Sequence, residues 1–123
     1  MVNIRRSIGN GIERMMIWDE TTKYTEGVND HGVGIISSSM ATISDEKGAT
    51  TTTHEGTNGD YTSPDGKRIR TALLEKDCMD ALGSLVESQL TGHTLVFNPD
   101  RCWLLESSHR NGEFIHKIQE IGK

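Results

Sequence analysis

Twenty-five residues in the middle of this chain, TISDEKGATTTTHEGTNGDYTSPDG (42–66), hold almost nothing that could build a hydrophobic core. Loops of that length are uncommon in a compact domain unless they are functional or disordered. The segment 41–66 is therefore predicted to be a mobile polar surface loop, and the fold must be built from the stretches on either side. Material for a core is scarce. The chain has 123 residues, one domain's worth, but only 33% are hydrophobic, against ~45–50% in typical domains when Gly is counted too. A modest core is expected, or a face that a partner must cover.

The first stretch reads as strands. Residues 1–11 are polar and contain Gly9-Asn10-Gly11, which predicts a turn or loose lead-in. Ile12–Trp18, Lys23–Val28 and Val33–Met40 then form a β-meander over 12–40. Its last two strands meet at Asn29-Asp30-His31-Gly32, where Asn and Gly accept the positive φ of a tight hairpin.

After the polar segment the period changes. Residues 67–91 read as two helices: Ile69, Leu73 and Leu74 recur at helical spacing. Asp77 is a predicted N-cap with Asp80 in its first turn. Met79, Leu82, Leu85, Val86 and Leu90 form an apolar stripe, and Gly92 a stop. Residues 93–121 return to a meander, with turns at Asn98-Pro99-Asp100-Arg101 and Asn111-Gly112. The pattern predicts an α+β class in which antiparallel β-meanders pack with two helices, in a single partial domain spanning 1–123.

Several function classes fall away. A net charge of −5 and a pI near 5.5 lack the basic footprint of nucleic-acid binding. No run reaches the ~18 apolar residues of a membrane span. The N-terminus has no apolar signal core, so a cytoplasmic location is expected. Cys78 and Cys102 give neither a disulfide framework nor metal-type spacing. They read as buried thiols in a reducing compartment, with Cys102 opening a hydrophobic strand. The histidines at 31, 54, 93, 109 and 116 are not spaced as a zinc set. Ser37-Ser38-Ser39 lacks the G-x-S-x-G frame of a nucleophile elbow. GTNGDYTSPDGK lacks the G-K-[ST] ending of a phosphate loop. Neither a metal nor a cofactor is expected.

Three stretches carry a family likeness: YTEGVNDHGVGIISSSM (24–40), TALLEKDCMDALGSLVESQLTGHTLVFNPDRCWLLES (71–107) and NGEFIHKIQEI (111–121). Together they resemble the N-terminal-nucleophile hydrolase superfamily. The nearest branch is the linear-amide hydrolases and acyltransferases, which includes choloylglycine hydrolases, penicillin acylases and isopenicillin N acyltransferase-like proteins. The family hairpin G-[MVI]-N-E-x-G-[LIV] is matched by Gly27-Val28-Asn29-Asp30-His31-Gly32-Val33, and its W-x-L-E strand by Trp103-Leu104-Leu105-Glu106. The resemblance implies an αββα sandwich, present here in part. It also implies amide-bond hydrolysis or acyl transfer by an N-terminal Cys, Ser or Thr whose α-amine is the base. At Asn29 it implies an oxyanion donor, the sort of group that contributes on the order of 3 kcal/mol to such reactions.

The chain departs from that pattern. It opens Met1-Val2-Asn3, and loss of Met1 would expose a valine with no nucleophilic side chain. Arg5 and Arg6 lie outside any N-R-D context. The expectation is a fragment or degenerate member of an amide-hydrolase family with no activity of its own. Two alternatives stand beside it: a subunit of a split amidohydrolase that supplies Asn29, and a self-associating interaction module. For Asn29 the plain reading is a turn residue chosen for positive φ. The expected partner is a second copy or a complementary chain that completes the fold, with no nucleic acid and no membrane.

Overall fold

A computed structural model describes residues 2–21, 25–38 and 64–122. Most of the predicted mobile loop (41–66) lies outside the described residues; its last three positions, 64–66, open a helix. The strands are β1 (Val2–Gly9), β2 (Ile12–Asp19), β3 (Thr25–Asn29), β4 (Gly34–Ser38), β5 (Gly92–Phe97), β6 (Cys102–Arg110) and β7 (Glu113–Ile121). The helices are α1 (Pro64–Ala72) and α2 (Cys78–Glu87). All seven strands join one antiparallel sheet in sequence order.

This corrects the α+β, partial αββα reading. Strand takes 54% of the described residues and helix 20%, so the fold is mostly β, a single sheet with two short helices on one face. Two features make the difference. The polar lead-in is a strand, because Val2-to-Gly9 pairs residue for residue with β2 across an Asn10-Gly11 turn. Asn10 and Gly11 take φ of 51° and 76°, the left-handed pair that a two-residue hairpin needs. The two meanders are also continuous: β4 pairs with β5, Ile35 opposite Val96. They form one layer.

Local chemistry sets the helix ends. The Asp77 side chain accepts from the backbone N–H of Asp80 at 2.9 Å, as the N-cap reading requires. The C-terminus differs from expectation. Ser88 caps α2, Gln89 takes the left-handed turn at φ 63°, and Gly92 already begins β5. Met79 faces solvent rather than joining the apolar stripe. Of the other stripe positions, Leu82, Leu85 and Leu90 are buried with Ile69 and Leu73 against Ile35, Val96, Trp103 and Leu105 of the sheet, and Val86 packs against them partly buried. This is the core, and among the described residues it lies on one side of the sheet. None of the helices in the described residues is long and apolar enough to cross a membrane.

Candidate functional site

Side chains alternate between the two faces of a strand, so the register assigns every strand residue to a side. Met16, Ile35, Val96, Trp103 and Leu105 face the helices and are buried. Their neighbours face the opposite way, onto a surface that no described element covers. One row on that surface crosses the sheet as Ile4, Ile17, Ile36, Leu95 and Leu104, linked by the pairings Ile4–Ile17, Ile36–Leu95 and Leu95–Leu104. Glu26 of β3 stands within it, opposite Ile17. The adjacent row runs Met15, Val28, Phe97 and Ile121. In that row Gly34 leaves space that the Phe97 ring fills; a Cβ on Gly34 would lie 2.2 Å from the ring.

The exposure is large. Ile4 is 72% exposed, and Met15, Ile17, Val28 and Ile36 are each 45–49% exposed. Scattered surface aliphatics need no explanation, but a contiguous patch of this size marks an interaction surface. Apart from Glu26, the charged groups of this face lie at its margins. Arg6 forms an ion pair with Glu13 at the β1–β2 corner. His93 lies 3.4 Å from Glu106 at the other side, where Lys117 is opposite Glu106 on β7.

Asn29 lies on the helix side of the sheet, with only 6% of its surface exposed. Its amide nitrogen donates to the carbonyls of Leu73 at 2.9 Å and Glu75 at 2.8 Å. Its amide oxygen accepts from the backbone N–H of His31 at 2.8 Å and Val33 at 3.0 Å. A primary amide has two N–H donors and two acceptor sites, and all four are used. Asn29 thus ties the β3–β4 turn to the link between α1 and α2. The positive φ expected at Asn29 falls on Gly32, at 86°. The sequence marked the residue; the signal it carried was an Asx-type turn with a distant backbone partner.

Several other polar groups also have structural assignments. A concavity of about 500 Å³ opens at one end of β5–β7, lined in part by His93, Glu106, His109, His116 and Lys117. His109 bonds Gln89 and packs edge-on against Phe114, which stacks on His116. Among the described residues no group of His, Cys, Asp or Glu is arranged to hold a metal ion. Arg14 donates to the Arg70 carbonyl and to Ser7 Oγ. Arg5 and Arg70 lie over the Trp18 ring at 4.0 and 5.4 Å. Burial, then the nearby Arg14 and Arg5 charges, push the Arg70 guanidinium down to about 10.

Both cysteines are free thiols. Cys78 is buried at the start of α2, and burial, with Asp77 and Cys102 adding to it, raises its thiol above the usual range. The thiolate is the reactive form. Cys78 is therefore expected to resist iodoacetamide at pH 8 in the folded protein and to react once denaturant is added. Peptide mapping reads this directly, and rapid native-state labelling would refute the placement. Compared with family models, curated proteins and solved structures, the chain matches none.

Proposed function

We propose that this chain is a non-catalytic assembly module, a degenerate relative of the amide hydrolases its sequence resembles, which acts by association through its open sheet face. The observation that carries this reading is the pair of apolar rows crossing that face. A layer architecture is stable when each apolar face is buried against another layer, and among the described residues only one face has its layer. The likeness to linear-amide hydrolases rests on the sequence of the 24–40, 71–107 and 111–121 stretches alone.

The second reading, a split hydrolase using Asn29 as oxyanion donor, meets a specific obstacle. Both amide hydrogens of Asn29 are held by backbone carbonyls, whereas an oxyanion donor must point at open space where charge develops. The two free thiols support a reducing, cytoplasmic setting.

The test is an acyl-amide hydrolysis panel on the purified chain. Turnover is expected at the buffer rate for the natural sequence and for Asn29→Gln alike. Turnover well above buffer that falls on Asn29→Gln, with the fold retained by circular dichroism, overturns the proposal.

A further inference from the structure

We infer that the helix side of β1–β3 binds a compact dianion of the phosphate type, held by Arg5, Arg14 and Arg70 around Trp18. This site lies on the opposite side of the sheet from the apolar rows, so it stands or falls apart from the assembly reading. The first observation is how the strands sort their charges. Alternation and register put Arg5, Arg14 and Trp18 on the helix side and turn Glu13, Asp19 and Glu26 to the open face. β1–β3 therefore present cations and no acid to the helix side, in a chain whose net charge is −5.

The second observation is that α1 brings a third guanidinium to the same place. Arg70 Nη1 donates to Thr25 Oγ1 at 3.3 Å, and Thr25 is paired with Trp18 across β2–β3. The Trp18 ring has the Arg70 guanidinium 5.4 Å from its centre and that of Arg5 at 4.0 Å, so one ring orients both cations. Arg14 is braced by Ser7 Oγ at 2.9 Å and the Arg70 carbonyl at 2.8 Å. The third observation is electrostatic. Arg14 Nε is buried with no acceptor. Burial lowers the Arg70 guanidinium, and the positive charges of Arg14 and Arg5 lower it further. An anion set among the three replaces that repulsion with attraction. Planar guanidinium forks match the oxygens of a phosphate group. Its double charge answers more than one arginine at once, which a single carboxylate does not.

The experiment is titration calorimetry on the full chain with inorganic phosphate, against sodium chloride at the same ionic strength, and with glycerol phosphate as a second arm. Saturable binding of phosphate that chloride does not reproduce is expected. Arg5→Gln, at an exposed position, is expected to weaken it by about 10-fold or more. Arg6→Gln removes the same charge from the next residue, on the other face, and leaves binding unchanged. Tighter binding of glycerol phosphate supports the site and marks the ligand as a phosphate ester; tighter binding of inorganic phosphate supports it and marks the free anion. No saturable binding at millimolar phosphate in either arm overturns the proposal. Equal weakening by the two variants also overturns it, since that is diffuse attraction to charge. Phenylglyoxal labelling of the natural chain reads the site without a substitution. Phosphate is expected to slow labelling of Arg5 and not of Arg6, and an Arg5 rate untouched by phosphate counts against the site in the same way.

Discussion

Asn29→Ala is expected to destabilise the chain by about 3 kcal/mol, with no loss of any chemical activity. The variant removes four hydrogen bonds at once. It leaves the Leu73 and Glu75 carbonyls and the His31 and Val33 N–H groups without their partner. A buried polar group left unsatisfied costs roughly 1–3 kcal/mol. Water that enters the truncated site recovers part of the total, which brings the expected loss to about 3 kcal/mol. Urea unfolding measures it as a lower midpoint at unchanged slope.

Asn29→Asp separates the two halves of the site. It keeps both acceptor contacts to the turn but sets a carboxylate against two carbonyl oxygens. That surrounding favours the neutral acid, so the folded state binds its proton more tightly than the unfolded chain does. Stability is then greatest at low pH, below the ordinary carboxylate range, and is lost as pH rises through the raised folded value. A variant series in which Asn29→Ala is neutral to within ~0.5 kcal/mol would remove the clip assigned to this residue.

The parts of this fold written in local sequence were readable. The Asn111-Gly112 turn takes φ of 53° and 81°, as the dipeptide predicts. Asp77 caps α2, and Trp103 and Leu105 alternate inward along β6. What escaped was of two kinds. In β1, Val2, Ile4 and Ile8 occupy alternate positions, a strand signal, but Arg5, Arg6 and the glycines around Asn10 made it look like a polar lead-in. The second kind is global. Nothing local says that β4 joins β5, a pairing made across the whole helical segment, and that contact turns two meanders into one sheet. The open face did leave a trace. In β2 the run Met15-Met16-Ile17 is apolar on both sides of the strand, as in strands buried on both faces. No element among the described residues covers one of those faces. For Asn29 the sequence identified a residue with a special task but could not name its partners, which lie more than forty positions away.

Gly27→Ala is expected to be the most damaging single-methyl change among the described glycines, because it attacks the sheet at its backbone. A Cβ on Gly27 would lie 2.3 Å from the Met15 carbonyl oxygen and 2.9 Å from Met16 Cα. Both are backbone atoms of β2, so no rotamer change relieves the clash. The contact at Gly34 differs, since there the obstacle is the Phe97 ring, which can turn. Overpacking typically costs ~1–3 kcal/mol, and a clash with backbone belongs at the upper end, about 3 kcal/mol. The strain falls on the β2–β3 pairing, which joins the β1–β2 hairpin to the rest of the sheet. Hydrogen exchange is therefore expected to accelerate first in the amides of β1 and β2 while β5 and β6 stay protected. That hairpin carries Ile4, Met15 and Ile17 of the open face. Its loosening should weaken the association proposed for that face at a temperature where the helix-covered core remains folded. Uniform acceleration across all seven strands would mean that the sheet opens only as a whole. An unchanged exchange pattern would mean that β2 yields to the methyl group without cost.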